Sequence, residues 1–375
     1  MKILITGGAG FIGANLVTRL HAEGHAIRVL DTLSPQIHGA EPSASPLRRQ
    51  IEGKCEFILG SVCDPAAVGA ALEGCDAVVH LAAETGTGQS MYEVARYCQN
   101  NVQGTAVLLE AMAQRKSQFR KVVVASSRAV YGEGRYMLDG EYFYPLKRNE
   151  TDLAAGRFDP ICPRTGRALE LVSTDEDSRI QPNSIYGVTK YTQEQMTLVN
   201  CRALAIPAVA LRFQNVYGPG QSLSNPYTGI LSIFSTRILH GQGIDIYEDG
   251  KESRDFVYID DVVDSIVRSL VRDDVQDEVF GIGSGVATSV HTVAEELCRQ
   301  YNREVPLRVT GAYRVGDIRH NFATPEKARR LLGFEARVDF VTGIQRFAQW
   351  VMAQPLAADS YTASVDEMKR RGLYK

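Results

Sequence analysis

Short apolar, β-branched segments alternate with segments of helical periodicity through the first 125 residues. The first segment, Lys2 to Thr6, precedes Ile12, Leu16, Val17 and Leu20, whose spacing is that of one helix face. Runs such as VVHLAA and VVVASS are apolar throughout, as strands buried on both faces are. Strands in series joined by helical crossovers predict an α/β fold with a doubly wound parallel sheet. The further strands are expected at 26–30, 57–59, 77–81 and 121–125.

Further elements follow along the chain. We expect helices at 102–112 and 184–204, strands at 208–212 and 280–283, and helix starts at Asp260-Asp261, read as caps, and Thr324-Pro325. The segment 32–53 is rich in Pro, Ser and Ala and predicts a loop. The large domain is assigned to 1–212, completed by about 257–285. A smaller lobe takes 213–256 and 286–375, with the polar tail from residue 357 expected at the periphery.

The charge, the apolar runs and the cysteine content indicate which partners and which cellular compartment to expect. The 375 residues carry a net charge of −3, so no basic field for nucleic acid is present. Apolar runs stay below the eighteen residues of a membrane helix, and MKILITGG enters a strand directly, so we expect a cytoplasmic protein without a membrane partner. The seven cysteines lack a CxxC pair and the histidines are scattered, so we expect reduced thiols and no metal.

A glycine-rich turn links the first strand to the first helix. Gly7 permits the tight turn, Gly10 lets the backbone approach a pyrophosphate, and Gly13 allows the helix to pack closely on the strand. The next strand ends at Asp31, the distance expected for an acid that binds a ribose 2′-hydroxyl. Because that carboxylate repels a 2′-phosphate, the pattern predicts NAD in preference to NADP.

The sequence Tyr186-Gly-Val-Thr-Lys190 places a phenol and an ammonium one helical turn apart. Positive charge beside a phenol lowers its pKa from about 10, which favours proton transfer at neutral pH. The Ser126-Ser127 pair closes an apolar strand, at the carboxyl edge where ligands bind in such sheets. His80 lies inside its strand and is interpreted as a core histidine.

These motifs together resemble the extended short-chain dehydrogenase/reductase family of NAD-dependent nucleotide-sugar epimerases and dehydratases, over the chain to about Phe334. The motifs are Gly7 to Gly13, Asp31, Leu81-Ala-Ala83, Asn101-Val-x-Gly-Thr105, Ser127 with Val130-Tyr-Gly132, and Tyr186 with Lys190. The resemblance implies a Rossmann-type sheet with a smaller C-terminal substrate-binding lobe. It implies Ser127, Tyr186 and Lys190 as the catalytic set, with Ser127 bonding the sugar hydroxyl that Tyr186 deprotonates.

The same resemblance assigns binding residues. The cofactor residues are Gly7, Gly10, Phe11, Ile12, Gly13, Asp31, Ser61, Val62, Leu81, Ala82, Ala83, Asn101, Tyr186, Lys190 and Phe213. Ser61 replaces the family's usual Asp at the adenine amine. The substrate residues are Thr85, Ser127, Arg128, Asn215, Arg254 and Arg319, with Asn215, Arg254 and Arg319 on the diphosphate. A homodimer is expected through helices 102–112 and 184–204, with Val107, Leu108, Met112, Met196 and Val199 at the interface.

The two residues after Ser127 distinguish between the reaction types of the family. Dehydratases of the family carry an Asp-Glu pair there, and mannose-type 3,5-epimerases carry a Cys at the second position, whereas this chain has Arg128 and Ala129. What remains is hydride chemistry at one carbon, with oxidation to a ketone and return of the hydride to the same or the opposite face. This resembles the 4-epimerases, which invert C4 through a transient 4-keto sugar. The stretch Ser127 to Glu133, the long segment 133–183 and Ser222 to Gly229 are most similar to the dTDP-L-rhamnose 4-epimerase branch, which interconverts the rhamnose and 6-deoxy-L-talose sugars.

Three alternatives stay open. A UDP-hexose or UDP-hexuronate 4-epimerase is the nearest, and a nucleotide-sugar 4-ketoreductase is the next. A non-catalytic NAD-binding regulator is disfavoured because all three catalytic residues are present. The segment 133–183 either covers the sugar pocket or is an ordered surface excursion, and its Cys162-Pro-Arg-Thr-Gly166 keeps only the first Cys of a possible zinc knuckle.

Overall fold

A seven-stranded parallel sheet forms the centre of the chain. The computed structural model describes residues 1–146, 148–223, 229–359 and 361–375. Residues 224–228, part of the stretch that is similar to the rhamnose branch, lie outside the described residues.

The strands are β1 Lys2–Thr6, β2 Ala26–Asp31, β3 Glu56–Leu59, β4 Ala77–His80, β5 Lys121–Ser127, β6 Arg135–Leu138, β7 Glu141–Phe143, β8 Glu170–Val172, β9 Ala208–Phe213, β10 Asn215–Tyr217, β11 Ile244–Ile246, β12 Ser253–Arg254, β13 Phe256–Tyr258, β14 Glu278–Ile282, β15 Thr288–Ser289, β16 Leu307–Val309 and β17 His320–Asn321. The helices are α1 Phe11–Ala22, α2 Pro35–His38, α3 Pro46–Gln50, α4 Pro65–Leu72, α5 Thr87–Ser90, α6 Val94–Tyr97, α7 Gly104–Ala113, α8 Glu150–Ala154, α9 Ile185–Ala203, α10 Ile230–Leu239, α11 Ile259–Val271, α12 Val290–Tyr301, α13 Glu326–Leu332, α14 Phe340–Met352 and α15 Tyr361–Arg370. A π-helix at Cys98–Gln103 precedes α7.

The strand order of the large sheet is β14-β9-β5-β4-β1-β2-β3, with every neighbouring pair parallel. The chain builds outward from β1 to β3 and then returns to the other side of β1 to add β4. This reversal between β1 and β4 is the switch point at which open α/β sheets bind ligands. The predicted α/β class and doubly wound sheet are confirmed.

The two faces of the sheet build two cores, as the alternation along β1 shows. Ile3 and Ile5 pack on the face that carries α1 and α11, whereas Leu4 packs with Val78 and Leu108 on the face of α4, α7 and α9. All of these side chains are buried. The helices therefore cover both faces and leave the carboxyl edge of the strands for a ligand.

Two predictions about local structure were wrong. The segment 32–53 is not an open loop, because α2, a 3₁₀ turn at Pro42–Ala44 and α3 each begin with a proline at a first-turn position. Proline there has its backbone angle preset and needs no hydrogen-bond partner for the missing N–H. Asp261 does not cap α11, because its carboxylate accepts the backbone N–H groups of Arg337 and Val338 instead.

Smaller sheets surround the carboxyl edge. The segment 133–183 forms an antiparallel sheet of order β7-β6-β8 and the short helix α8. Two-stranded pairs β10-β13 and β11-β16 and the sheet β15-β12-β17 belong to the later part of the chain. The division into lobes at residue 212 stays a prediction. Among the described helices none has the length and apolar character needed to span a membrane.

Candidate active site

A cavity of about 630 Å³ lies at the carboxyl ends of β1, β4, β5 and β9. It brings together the glycine turn, Asp31, Ser127, Tyr186 and Lys190 from widely separated parts of the chain. Of the residues predicted for cofactor and substrate, all line this cavity except Asn101 and Arg319.

The glycine turn is set by close backbone contacts. Gly7 has a φ of +69°, and a Cβ there would lie 2.8 Å from the backbone N of Ala82. A Cβ at Gly13 would lie 2.5 Å from the carbonyl oxygen of Gly7. Neither distance is compatible with a side chain, so these two glycines are required for β1, α1 and the 81–82 segment to meet.

The start of α1 faces the cavity with open backbone donors. Gly10 is the N-cap residue, α1 begins without a side-chain cap in the described part of the chain, and Phe11, Ile12 and Gly13 line the cavity. The first turn of a helix leaves N–H groups unbonded and carries partial positive charge, which suits a pyrophosphate. This turn therefore fits the pyrophosphate of a dinucleotide.

Asp31 lies at the end of β2, beside the glycine turn. Its carboxylate accepts the backbone N–H of Ala9 at 3.0 Å and that of Leu33 at 2.8 Å. These bonds fix the carboxylate at the cavity wall, where it can accept a ribose hydroxyl. Ser61 also lines the cavity, and its hydroxyl accepts the N–H of Cys63 at 3.1 Å, so it turns the chain after β3. The donor set of this end of the cavity fits NAD.

Ser127 and Tyr186 meet where β5 ends and α9 begins. Ser184 caps α9 by accepting the N–H of Gly187 at 3.1 Å, which places Tyr186 in the first turn. A Cβ on Gly187 would lie 2.5 Å from the carbonyl oxygen of Ala129, so glycine lets α9 approach the segment after β5. Burial raises the pKa of Tyr186, while the hydrogen bond with Ser127 and the charge of Arg128 oppose that rise.

The two adjacent serines have different partners. Ser126 donates to Glu194 at 2.6 Å, and Glu194 is buried and ion-paired with Arg212. These three side chains link β5, α9 and β9 beneath the site. Ser127 is therefore the serine of the pair that bonds Tyr186.

Lys190 is buried one turn after Tyr186. Its ammonium donates to the side-chain oxygen of Gln193 at 2.8 Å, and burial lowers the pKa of Lys190 to about 7. Gln193 in turn lies 3.1 Å from His80, whose other ring nitrogen lies 2.7 Å from the Thr6 hydroxyl. Burial, with the nearby Lys190 charge, lowers the pKa of His80 to about 3, so His80 is a neutral core histidine, as expected.

A row of charged groups leads away from Tyr186 along the cavity. Arg128 donates to the Asn215 side-chain oxygen at 2.8 Å, and burial followed by repulsion from Arg254 lowers the pKa of Arg128 to about 10. Asp317 lies 3.1 Å from both Arg254 and Arg314. Although burial opposes its ionisation, these two arginines hold the pKa of Asp317 well below its usual range.

The geometry corrects the role predicted for Arg319. Its side chain is fully buried, with 0% exposure, and its guanidinium is bonded to Asp159, Glu248 and Asp249. These acids hold it away from the cavity wall. From the same segment Arg314 lines the cavity instead.

Asn101 also differs from its predicted role. It is fully buried, its amide oxygen accepts the N–H of Glu84 at 2.7 Å, and its amide nitrogen donates to Thr189 at 2.9 Å. Asn101 therefore holds the segment after β4 against α9, and does not line the cavity. Thr85 of that segment does line it, and its carbonyl accepts a hydrogen bond from Tyr97.

The chain is similar to proteins of a known family. The NAD dependent epimerase/dehydratase family model matches residues 3–151 and 163–283. A dTDP-L-rhamnose 4-epimerase of Burkholderia thailandensis is 39% identical over 353 residues, covering 93% of this chain and 94% of that protein.

Two solved structures are similar along nearly the whole chain. The UDP-glucose 4-epimerase of Thermotoga maritima with UDP-glucose is 27% identical with a TM-score of 0.73, covering 94% of this chain and 99% of that chain. The UDP-glucuronic acid 4-epimerase of Bacillus cereus, in complex with UDP-glucuronic acid and NAD, has a TM-score of 0.77 and the same coverage. At 24% identity that likeness shows the fold alone.

Proposed function

Because the chain belongs to the NAD-dependent epimerase/dehydratase family, we propose that it inverts C4 of a nucleoside-diphosphate sugar through a transient 4-keto sugar. The resemblance noted in the sequence and its NAD dependence are confirmed by the family match and by the 39% identical relative.

The observation that carries the proposal is the pair of residues after Ser127. Ala129 is buried in the wall, where its N–H bonds the Ser127 hydroxyl at 3.1 Å, and Arg128 bonds Asn215. Neither side chain can act as the acid or base that elimination of water needs, or as a proton-exchanging thiol. These two positions therefore favour proton transfer at one hydroxyl over elimination of water.

The chain's residues supply proton transfer and orientation. Tyr186 removes the proton from the 4-hydroxyl and later returns it, Ser127 orients that hydroxyl, and Arg128 supplies positive charge near the phenol. Bound NAD supplies hydride transfer at C4. The start of α1, Asp31 and Lys190 are the groups that would hold it.

Positive charge beyond Tyr186 fits a diphosphate. Arg254 and Arg314 line the cavity and are held in place by Asp317 between them. A fixed guanidinium binds phosphate oxygens bidentately. Binding energy concentrated there leaves the sugar ring free to present either face to Tyr186, which inversion of C4 requires.

We propose the dTDP-L-rhamnose and dTDP-6-deoxy-L-talose pair as the substrates, on the support of the 39% identical relative. UDP-hexose or UDP-hexuronate 4-epimerisation is the alternative. A panel of dTDP-, UDP-, GDP- and CDP-sugars tests both. We expect the C4 epimer of one of them without net consumption of NAD. Ketone release with stoichiometric loss of added NAD would contradict the proposal.

A homodimer is proposed as well, on a revised surface. Val107, Leu108 and Met112 of α7 are buried inside the chain's own core, so the predicted interface is wrong at these positions. On α9, Val188 and Val199 are exposed, Val199 by 59%. Light scattering at micromolar concentration should give twice 41.2 kDa, and a monomer would contradict the dimer. The cytoplasmic location stays a prediction.

A further inference from the structure

The C-terminal segment, residues 361–375, returns to the active-site cavity. The sequence predicted a peripheral tail from residue 357, and the structure corrects this. Tyr361 and Met368 of α15 and Leu373 after it line the same cavity as Ser127 and Tyr186. Tyr374 follows directly and forms a β-bridge with Arg314.

Backbone pairing and aromatic contacts hold the segment in place. Tyr313 and Lys375 exchange both backbone hydrogen bonds, at 2.8 and 3.0 Å, and Val315 donates to the Leu373 carbonyl at 3.0 Å. The Tyr247 and Tyr361 hydroxyls lie 2.9 Å apart, and the Tyr247 and Tyr374 rings are 5.3 Å apart. Such pairing fixes the segment beside Arg314, an arginine already assigned to the diphosphate.

The order of groups along the cavity gives the position of this wall. Arg128 is near Tyr186, Arg254 is near Arg128, and Asp317 links Arg254 to Arg314. The Arg314 guanidinium then lies 5.2 Å from the Tyr247 ring centre. A sugar at Tyr186 with its diphosphate at the arginines must therefore place its nucleoside beyond Arg314, at Tyr247 and the C-terminal segment.

We propose that the C-terminal segment forms one wall of the nucleoside subsite, so that Tyr361, Met368 and Leu373 contact the base or ribose of a nucleoside diphosphate. This inference rests on the proposed function, because it takes the diphosphate to lie at Arg254 and Arg314.

The chemistry of this end of the cavity suits a nucleobase. Tyr247 and Tyr361 offer aromatic rings and hydroxyl groups, Met368 and Leu373 offer apolar surface, and the carboxylate of Asp245 lines the same end. Aromatic and apolar side chains bury the faces of a base, while hydroxyl and carboxylate oxygens can accept from its N–H groups.

The test adds side-chain volume to the proposed nucleoside subsite and leaves Arg254 and Arg314 unchanged. Met368→Trp adds bulk on the cavity wall, and Thr362→Trp adds the same side chain at an exposed position of α15 as the matched control. Isothermal titration of the NAD-loaded full chain measures the Kd of dTDP, of UDP and of inorganic pyrophosphate. Retained NAD and the melting temperature are measured in parallel.

We expect Met368→Trp to raise the Kd of both nucleoside diphosphates at least about tenfold, as the loss of roughly one aromatic or apolar contact predicts. The Kd of pyrophosphate and the amount of retained NAD should stay within about twofold of the wild-type values, and the melting temperature within about 2 °C. Thr362→Trp should match the wild-type chain throughout. If Met368→Trp does not fold, Met368→Ala replaces it, with the same selective weakening expected at about threefold or more.

Several results would overturn the inference. These are unchanged nucleotide binding in the Met368 variants, equal weakening of pyrophosphate, or a wild-type chain that binds neither dTDP nor UDP. Failure of the proposed function is separate. If substitution of Met368 weakens dTDP binding but the wild-type chain epimerises no nucleotide sugar, the proposed reaction is refuted and the subsite is retained. If the wild-type chain epimerises normally and substitution of Met368 does not change nucleotide binding, only the subsite is refuted.

Discussion

The Arg128 guanidinium donates to the side-chain oxygen of Asn215 at 2.8 Å, joining the turn after β5 to the first residue of β10. Arg128 is half-buried and lines the cavity, and its charge opposes the rise that burial causes in the pKa of Tyr186. The bond to Asn215 therefore fixes a positive charge beside the proton-transfer group.

Removing this charge should move the pH dependence of the rate. In Arg128→Met the pKa of Tyr186 should rise, because a neighbouring positive charge is lost, so the limb on which kcat/KM increases with pH shifts to higher pH. The variant should be about tenfold slower at neutral pH and recover at higher pH. Arg128→Lys, which keeps the charge, should retain most of the wild-type profile. A loss of rate that is equal at all pH values would show that Arg128 acts by binding alone.

Tyr186→Phe should lose about 10²–10⁴ in rate, which is the usual contribution of a positioned proton-transfer group. Folding and retained NAD should be unchanged, because the ring still packs edge-on against Tyr97 with 6.5 Å between ring centres. Tyr191→Phe, the same chemical change in α9 outside the cavity lining, is the control and should keep normal activity. Near-normal turnover by Tyr186→Phe would assign proton transfer to another group.

Local spacing made part of this site predictable. The glycines at 7, 10 and 13, the acid at the end of the second strand and the Tyr186/Lys190 pair are each fixed by a strand or helix that contains them. The edge of a parallel sheet then brings these groups together, because the carboxyl ends of its strands lie side by side. Sequence pattern was sufficient where one element sets the geometry.

Contacts between distant segments were not predictable. Arg314 and Arg319 lie five residues apart in one segment, and which of them faces the cavity depends on acids at positions 159, 248 and 249 that bind Arg319. The polar sequence of the C-terminal segment predicted a peripheral position, whereas its backbone pairs with Tyr313 and Val315. Neither relationship leaves a periodic signal along the chain.

Burial of Lys190 gives stability a defined pH dependence. Burial lowers its pKa from 10.5 to about 7 in the folded chain, so between these values the unfolded chain binds more protons and stability rises with pH. Lys190→Met removes this dependence. The pH-dependent part of the difference in free energy of unfolding between Lys190→Met and the wild-type chain should vanish above about pH 10.5. It should grow to about 3–5 kcal/mol in favour of the variant near pH 7.

Urea unfolding of the cofactor-free chain between pH 7 and pH 10 measures that difference. The exposed Lys251 gives the matched control, and Lys251→Met should follow the wild-type curve. A constant difference between Lys190→Met and wild type across this range would show that the ammonium keeps its ordinary pKa on folding.

Asp31 should set the choice between NAD and NADP. Its carboxylate is fixed by two backbone N–H groups, so a 2′-phosphate at this wall would meet a like charge that cannot turn away. Cofactor released by acid or heat should therefore be NAD on chromatography. Asp31→Asn should reduce the preference for NAD over NADP about tenfold or more, as loss of one charge repulsion predicts. NADP as the dominant released cofactor would refute this role.

The fate of hydrogen at C4 tests the reaction itself. Arg128 and Ala129 follow Ser127, neither can act as the acid or base of elimination, and we assign proton transfer at the 4-hydroxyl alone to Tyr186. A substrate with deuterium at C4 should therefore give a C4 epimer that keeps its deuterium. In heavy water an unlabelled substrate should gain no deuterium at C3 or C5. Solvent deuterium at C5, or loss of the C6 hydroxyl from a hexose substrate, would mean 3,5-epimerase or dehydratase chemistry and would overturn C4 inversion.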